Sequence, residues 1–143
     1  MTRTLATVEE LAEEAQVLAR SLAPKSDGAT LVTLSGDLGA GKTTFAQSLA
    51  KALGVTEHVT SPTFVLAKTY TLKDQTFSEL VHIDAYRLKE GELQSIRFNE
   101  LHVRPDVLIV LEWPERVRES LPKADVALSL SVGPDETRTL SYA

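Results

Sequence analysis

The chain has 143 residues, 43 % hydrophobic and 24 % charged, which suits one soluble domain with a real core. Its net charge of −5 supplies no basic field to hold nucleic acid, so any RNA it serves must be held by a partner. Cysteine is absent, which excludes disulfides, thiol nucleophiles and cysteine-bound zinc and is compatible with a cytoplasmic location. No apolar run approaches the ~18 residues of a membrane span. An acidic start with Glu9, Glu10, Glu13 and Glu14 matches neither a secretory signal nor a transit peptide.

The elements follow in chain order. Arg3–Ala6 reads as a short strand. Thr7-Val8-Glu9-Glu10 has capping-box spacing, and Leu11, Ala15, Leu18, Ala19 and Leu22 recur at helical period behind it. Pro24 to Gly28 is a loop, and Leu31–Leu34 a short buried strand. Thr44–Leu53 predicts an amphipathic helix closed by Gly54 as a C-cap. Val55 to Pro62 is a polar connection, and Thr63–Leu72 has the β-branched and aromatic residues of a strand. Lys73-Asp74-Gln75 is a turn before the strand Glu79–Asp84, and Leu88 to Glu100 predicts short helices around Gly91. Val107–Leu111, opened by Pro105, is the continuous apolar run of a central strand buried on both faces. Arg116 to Leu121 predicts a turn or two of helix. Asp125–Val132 alternates and pairs with Thr137–Tyr142 through Gly133-Pro134-Asp135. The expected fold is α/β and three-layered, a P-loop NTPase-like domain over residues 1–143. Its central sheet is mixed and largely parallel, with antiparallel edge strands.

Between the strand and the helix lies Gly36-Asp37-Leu38-Gly39-Ala40-Gly41-Lys42-Thr43, which satisfies G-x-x-x-x-G-K-[ST]. Glycines let the backbone wrap with its N–H groups inward as an anion nest, and the following helix adds positive character at its N-terminus. Asp37, Leu38, Gly39, Ala40, Gly41, Lys42, Thr43 and Thr44 are therefore candidate phosphate-binding positions. Lys42 can reach the β- and γ-phosphates and the Thr43 hydroxyl can hold magnesium. The bland alternative, a glycine-rich turn before an ordinary helix, does not require all four fixed positions.

Two acids follow apolar strands, Asp84 and Glu112, where open α/β sheets bind ligands. Each alone reads as a solvated loop carboxylate. Together with a phosphate loop, Glu112 reads as a metal-shell residue and Asp84 as a second metal-shell or water-positioning acid. Thr60-Ser61-Pro62-Thr63 is either a switch that senses the γ-phosphate or a turn into a strand. His82 is read as a hydrogen-bonded core residue. Arg87 either stabilises transition-state charge or forms a surface ion pair. Trp113 is either a core or edge aromatic or an anchor for a partner.

Taken together, Gly36 to Thr44, Ser61-Pro62-Thr63-Phe64, His82-Ile83-Asp84-Ala85-Tyr86-Arg87 and Glu112-Trp113-Pro114-Glu115 resemble the TsaE (YjeE) family across nearly the whole chain. The resemblance implies a small bacterial ATPase of tRNA threonylcarbamoyladenosine synthesis that binds ATP and Mg2+. It implies weak hydrolysis alone and work with TsaD and TsaB, which modify adenosine 37 of tRNAs reading codons that begin with A. The ATPase would reset that complex between turnovers and meet tRNA only through it. By motif, Thr43 and Glu112 are metal ligands, Lys42 and the loop amides phosphate ligands, and Ser61-Pro62-Thr63 a switch, with Thr63 beside the nucleotide. Asp84 is required for hydrolysis, so Lys42, Asp84 and Glu112 form the catalytic set. Two positions depart from the family: Leu11 stands where many relatives have Thr, and the tail is short, with Arg138 matching a basic residue near the nucleotide.

Other readings separate by experiment. Guanine recognition would use [NT]-K-x-D, but Pro24-Lys25-Ser26-Asp27 and Pro122-Lys123-Ala124-Asp125 begin with proline. A small-molecule kinase would need an arginine-rich lid, and no segment clusters arginines that way. A non-hydrolysing ATP sensor would bind without turnover.

Overall fold

The computed structural model describes residues 2–37, 39–57 and 67–142. Among the described residues seven strands form one sheet: β1 (Thr2–Leu5), β2 (Thr30–Ser35), β3 (Ala67–Thr71), β4 (Glu79–Asp84), β5 (Val107–Glu112), β6 (Val126–Val132) and β7 (Arg138–Tyr142). Their spatial order is β1-β7-β6-β2-β5-β4-β3. The four central strands, β6, β2, β5 and β4, run parallel, while β3, β7 and β1 are antiparallel to their neighbours. The expected mixed sheet with antiparallel edges is the one observed.

Helices α1 (Val8–Ser21) and α2 (Lys42–Ala52) cover one face. Leu11, Ala15 and Leu18 of α1 and Phe45, Ala46 and Leu49 of α2 pack there on Val32, Leu34, Leu80, Leu108 and Val110. The other face carries the 3-10 segment Glu92–Ile96 and the short helix α3 (Phe98–His102). Leu93 and Phe98 meet Leu31, Val81, Ile83, Ile109 and Leu111 on that side. Strand alternation thus divides β2, β4 and β5 between two cores, and all six residues of β5 are buried. Among the described residues no helix is long and apolar enough to cross a membrane.

The caps follow the sequence. The Glu10 amide donates to Thr7 Oγ1 at 3.1 Å, and the Ala6 amide donates to Glu10 Oε2 at 2.6 Å. The α2 C-terminus closes with Gly54 at φ 89°, its amide on the Lys51 carbonyl and the Val55 amide on the Ala50 carbonyl.

Two expectations need correction. The phosphate-loop helix begins at Lys42 rather than Thr44, so Lys42 and Thr43 sit in its first turn. No α-helix forms over Arg116 to Leu121; a 3-10 turn at Pro114–Arg116 ends on the first of these residues and hydrogen-bonded turns follow. Pro114 fits the first position of such a turn, and Pro122 discourages helical continuation through Leu121. The predicted strand Thr63–Leu72 is seen as β3 from Ala67 onward; Thr63 itself, with Thr60, Ser61 and Pro62, lies outside the described residues, as does Leu38.

Candidate active site

Glycines shape the loop between β2 and α2, and two of them fix its ends. Gly36 has φ 144°, and a Cβ there would stand 2.4 Å from the Leu130 carbonyl oxygen on β6. Gly41 has φ 105° and is the N-cap of α2. A side chain at either position would be strained. Among the described residues no side chain caps α2, and no acid occupies its first turn. The first intrahelical bond recorded there runs from the Phe45 amide to the Gly41 carbonyl. The amides before Phe45 therefore lack helical acceptors and present an uncapped, electropositive helix end. Within the loop, the Ala40 amide bonds the Asp37 carbonyl at 3.0 Å, and the Ala40 methyl is buried in the core.

Lys42 is 5 % exposed. Its ammonium donates to the carbonyls of Gly36 and Asp37, the latter at 2.9 Å, and lies 4.1 Å from the centre of the Trp113 ring. Burial lowers its pKa below the ordinary lysine value, and the carboxylates of Glu112, Glu115, Asp84 and Asp37 oppose that shift.

The two acids meet at the ends of neighbouring parallel strands, Asp84 of β4 opposite Glu112 of β5. By strand alternation they share a face with Leu80, Leu108 and Val110, the face that α2 covers. The Thr43 hydroxyl lies 3.2 Å from Glu112 Oε1 and 3.5 Å from Oε2. Glu112 is 2 % exposed, and its Oε2 is 2.6 Å from His82 Nε2. Asp84 Oδ1 accepts from the Tyr86 amide at 3.0 Å.

Gly39, Gly41, Lys42, Thr43, Thr44, Asp84, Glu112 and Arg138 all line one cleft of about 460 Å3, together with Tyr86, Arg87 and Trp113. Asp37 is exposed and offers Lys42 its carbonyl. A second pocket of about 340 Å3 shares Gly41, Thr44 and Arg138 with the cleft and is otherwise mostly apolar, with Leu5, Ala6, Val8, Leu11 and Val132 in its wall. Arg138 stands where the two meet, steadied by a 2.6 Å bond to the Glu136 carbonyl.

The donor set suits magnesium. A hydroxyl and two carboxylates are hard oxygen ligands. Among the described residues no group of three or more His, Asp or Glu side chains could cage a cation alone. Magnesium commonly takes one or two protein oxygens and fills its shell with phosphate and water.

Sequence reasoning passed over three features. His82 is the hydrogen-bonded core residue expected, but its partner, Glu112, was not foreseen. Trp113 has φ 63°, a left-handed conformation that costs of order 1 kcal/mol. Its ring lies 4.9 Å from that of Tyr86, with the Arg116 guanidinium 4.7 Å from the Tyr86 ring. The wall of the apolar pocket comes from β1, the first turn of α1 and the β6–β7 end. Only the period-2 parity shared by His82 and Asp84 hinted at the first of these.

Comparison with known proteins adds the lineage. The family model described as Threonylcarbamoyl adenosine biosynthesis protein TsaE matches residues 6–140. The tRNA threonylcarbamoyladenosine biosynthesis protein TsaE of Bacillus subtilis (strain 168) is 34 % identical over 130 residues, covering 91 % of this chain and 79 % of that protein. The protein of the same name from Streptomyces coelicolor is 44 % identical over 115 residues, covering 79 % and 76 %. A crystal structure of Bacillus subtilis YdiB superposes with a TM-score of 0.76 at 28 % identity, over 99 % of this chain and 83 % of that one. With the family model spanning residues 6–140 and relatives matched over most of their length, the chain belongs to the TsaE family of tRNA threonylcarbamoyladenosine biosynthesis proteins.

Proposed function

We propose that the chain is a magnesium-dependent ATPase, weak alone, that resets a TsaD–TsaB complex between rounds of threonylcarbamoyl transfer to adenosine 37 of tRNAs reading A-starting codons. It works in the cytoplasm as one P-loop ATPase domain and meets tRNA through those partners. The observation that carries this reading is the convergence of Lys42, Thr43, Asp84 and Glu112 on one cleft beside an uncapped helix N-terminus.

Each residue has a task in that reading. Lys42 moves its protons from loop carbonyls to the β- and γ-phosphates, while the loop amides and Thr44 cradle the phosphate oxygens. Thr43 and Glu112 hold magnesium, and Asp84 completes that shell or orients the attacking water. A magnesium ion held by these residues would supply positive charge against the phosphates. The Tyr86 amide fixes Asp84 for that work. Arg138 leads from phosphate to base, and the apolar wall containing Leu11 receives the adenine. Asp125 supports adenine over guanine, because its carboxylate is already bound to the Leu31 amide and Lys25, toward the end of β2 away from the loop. Thr63, outside the described residues, belongs to the proposed switch.

Phosphate release tests the proposal, measured with protein alone, with candidate phosphate acceptors, and with TsaD and TsaB. Hydrolysis that rises with the two partners is expected. Transfer to a small acceptor would make the chain a kinase, and binding without turnover in every condition would make it a sensor.

A further inference from the structure

We infer that His82 is a positioning residue for magnesium: it holds the Glu112 carboxylate in the orientation that the metal requires. This rests on the metal reading of Thr43 and Glu112 above. A carboxylate left without donors in a buried site is costly, and Glu112 is 2 % exposed. Among the described residues two donors reach it. Thr43 gives a long, divided contact, 3.2 Å to one oxygen and 3.5 Å to the other. His82 gives a contact of 2.6 Å to Oε2 alone and is itself 1 % exposed. Since a carboxylate only accepts, the proton of that bond is carried on His82 Nε2.

The two donors also differ in their support. Thr43 rides on the first turn of α2, directly after a glycine-shaped loop. His82 rides on β4, paired along its whole length with β5, the strand that carries Glu112. The sheet thus locks Oε2 to the imidazole and leaves Oε1 toward Thr43. A contact from one central strand to the next persists while a loop adjusts, which is how a supporting side chain orients a metal ligand. The Nδ1 atom of His82 has no hydrogen-bond partner among the described residues, so Glu112 is the polar contact recorded for this ring.

The test separates magnesium affinity from nucleotide affinity. Binding of the β,γ-imido analogue of ATP is measured by calorimetry in EDTA and again in magnesium chloride. The variants are His82→Leu, which fills the space without a donor, and His82→Gln, whose amide can replace the Nε2 proton. Circular dichroism confirms that each is folded. His82→Leu should keep its affinity in EDTA but lose the magnesium-dependent gain by about tenfold or more, the usual effect of removing a ligand's supporting partner. His82→Gln should restore most of it. A folded His82→Leu protein with the full wild-type gain overturns the role of His82 alone, as does a His82→Gln protein no better than His82→Leu. A wild-type protein with no magnesium gain overturns the metal reading and this inference with it.

Discussion

Lys42 gives its protons to two loop carbonyls beneath the Trp113 ring, and burial leaves it a less comfortable cation than an exposed lysine. A triphosphate offers the same ammonium much stronger acceptors. Charge-assisted hydrogen bonds contribute about 1.5–3 kcal/mol, so Lys42→Ala should weaken ATP binding by about 10- to 100-fold. Unchanged affinity would count against the phosphate site. Glu112→Gln keeps the shape of the side chain and can still accept from Thr43, but it loses the charge that holds a divalent cation. The variant should stay folded while magnesium-dependent phosphate release drops at least about tenfold. Wild-type turnover would remove Glu112 from the metal shell.

At the scale of elements, the ends of the strands decide where chemistry collects. β2 enters the phosphate loop, and β4 and β5 deliver Asp84 and Glu112 side by side on the face covered by α2. Much of this was legible. The apolar run of β5, the glycine spacing of the loop, the Thr7 capping box and the turn before β7 are all local signals. Local signals do not say which strands become neighbours. The contact between His82 and Glu112 joins residues thirty apart in the chain, and it exists because β4 pairs in parallel with β5. The turn or two of helix expected over Arg116 to Leu121 appears as a 3-10 turn ending at Arg116 and further short turns, because the flanking prolines do not allow a longer helix.

The sheet edge gives a test of its own. The Tyr142 hydroxyl on β7 donates to Glu14 of α1 at 2.9 Å, and Glu14 also pairs with Arg3 of β1 at 3.1 Å. Burial first, and the Glu14 carboxylate second, push the Tyr142 pKa well above that of an ordinary tyrosine. The folded protein therefore keeps a proton that the unfolded chain releases near pH ~10. The stability from this contact is complete below that pH and is lost progressively above it. Tyr142→Phe should cost about 1 kcal/mol at neutral pH and lessen the alkaline decline. Urea unfolding at pH 7 and in the alkaline range measures both; equal stability and an equal decline would contradict the contact.

For the whole molecule, the cleft mouth and the net charge bear on partnership. A chain of net charge −5 has no general attraction for tRNA, which favours the proposed role in which partner proteins present the RNA. Trp113, with Tyr86 and Arg116 against it, forms an aromatic and cationic cluster of the kind that anchors interfaces. Trp113→Ala should weaken capture by TsaD and TsaB by about 30-fold, equivalent to about 2 kcal/mol, with the fold retained. Unaltered capture would return the ring to a purely internal role. Beneath all of this lies the nucleotide itself. Calorimetry of the folded wild-type protein with ATP and magnesium tests it most directly. The account predicts one saturable site, lost when the phosphate loop is altered; no heat of binding at millimolar ATP would contradict it.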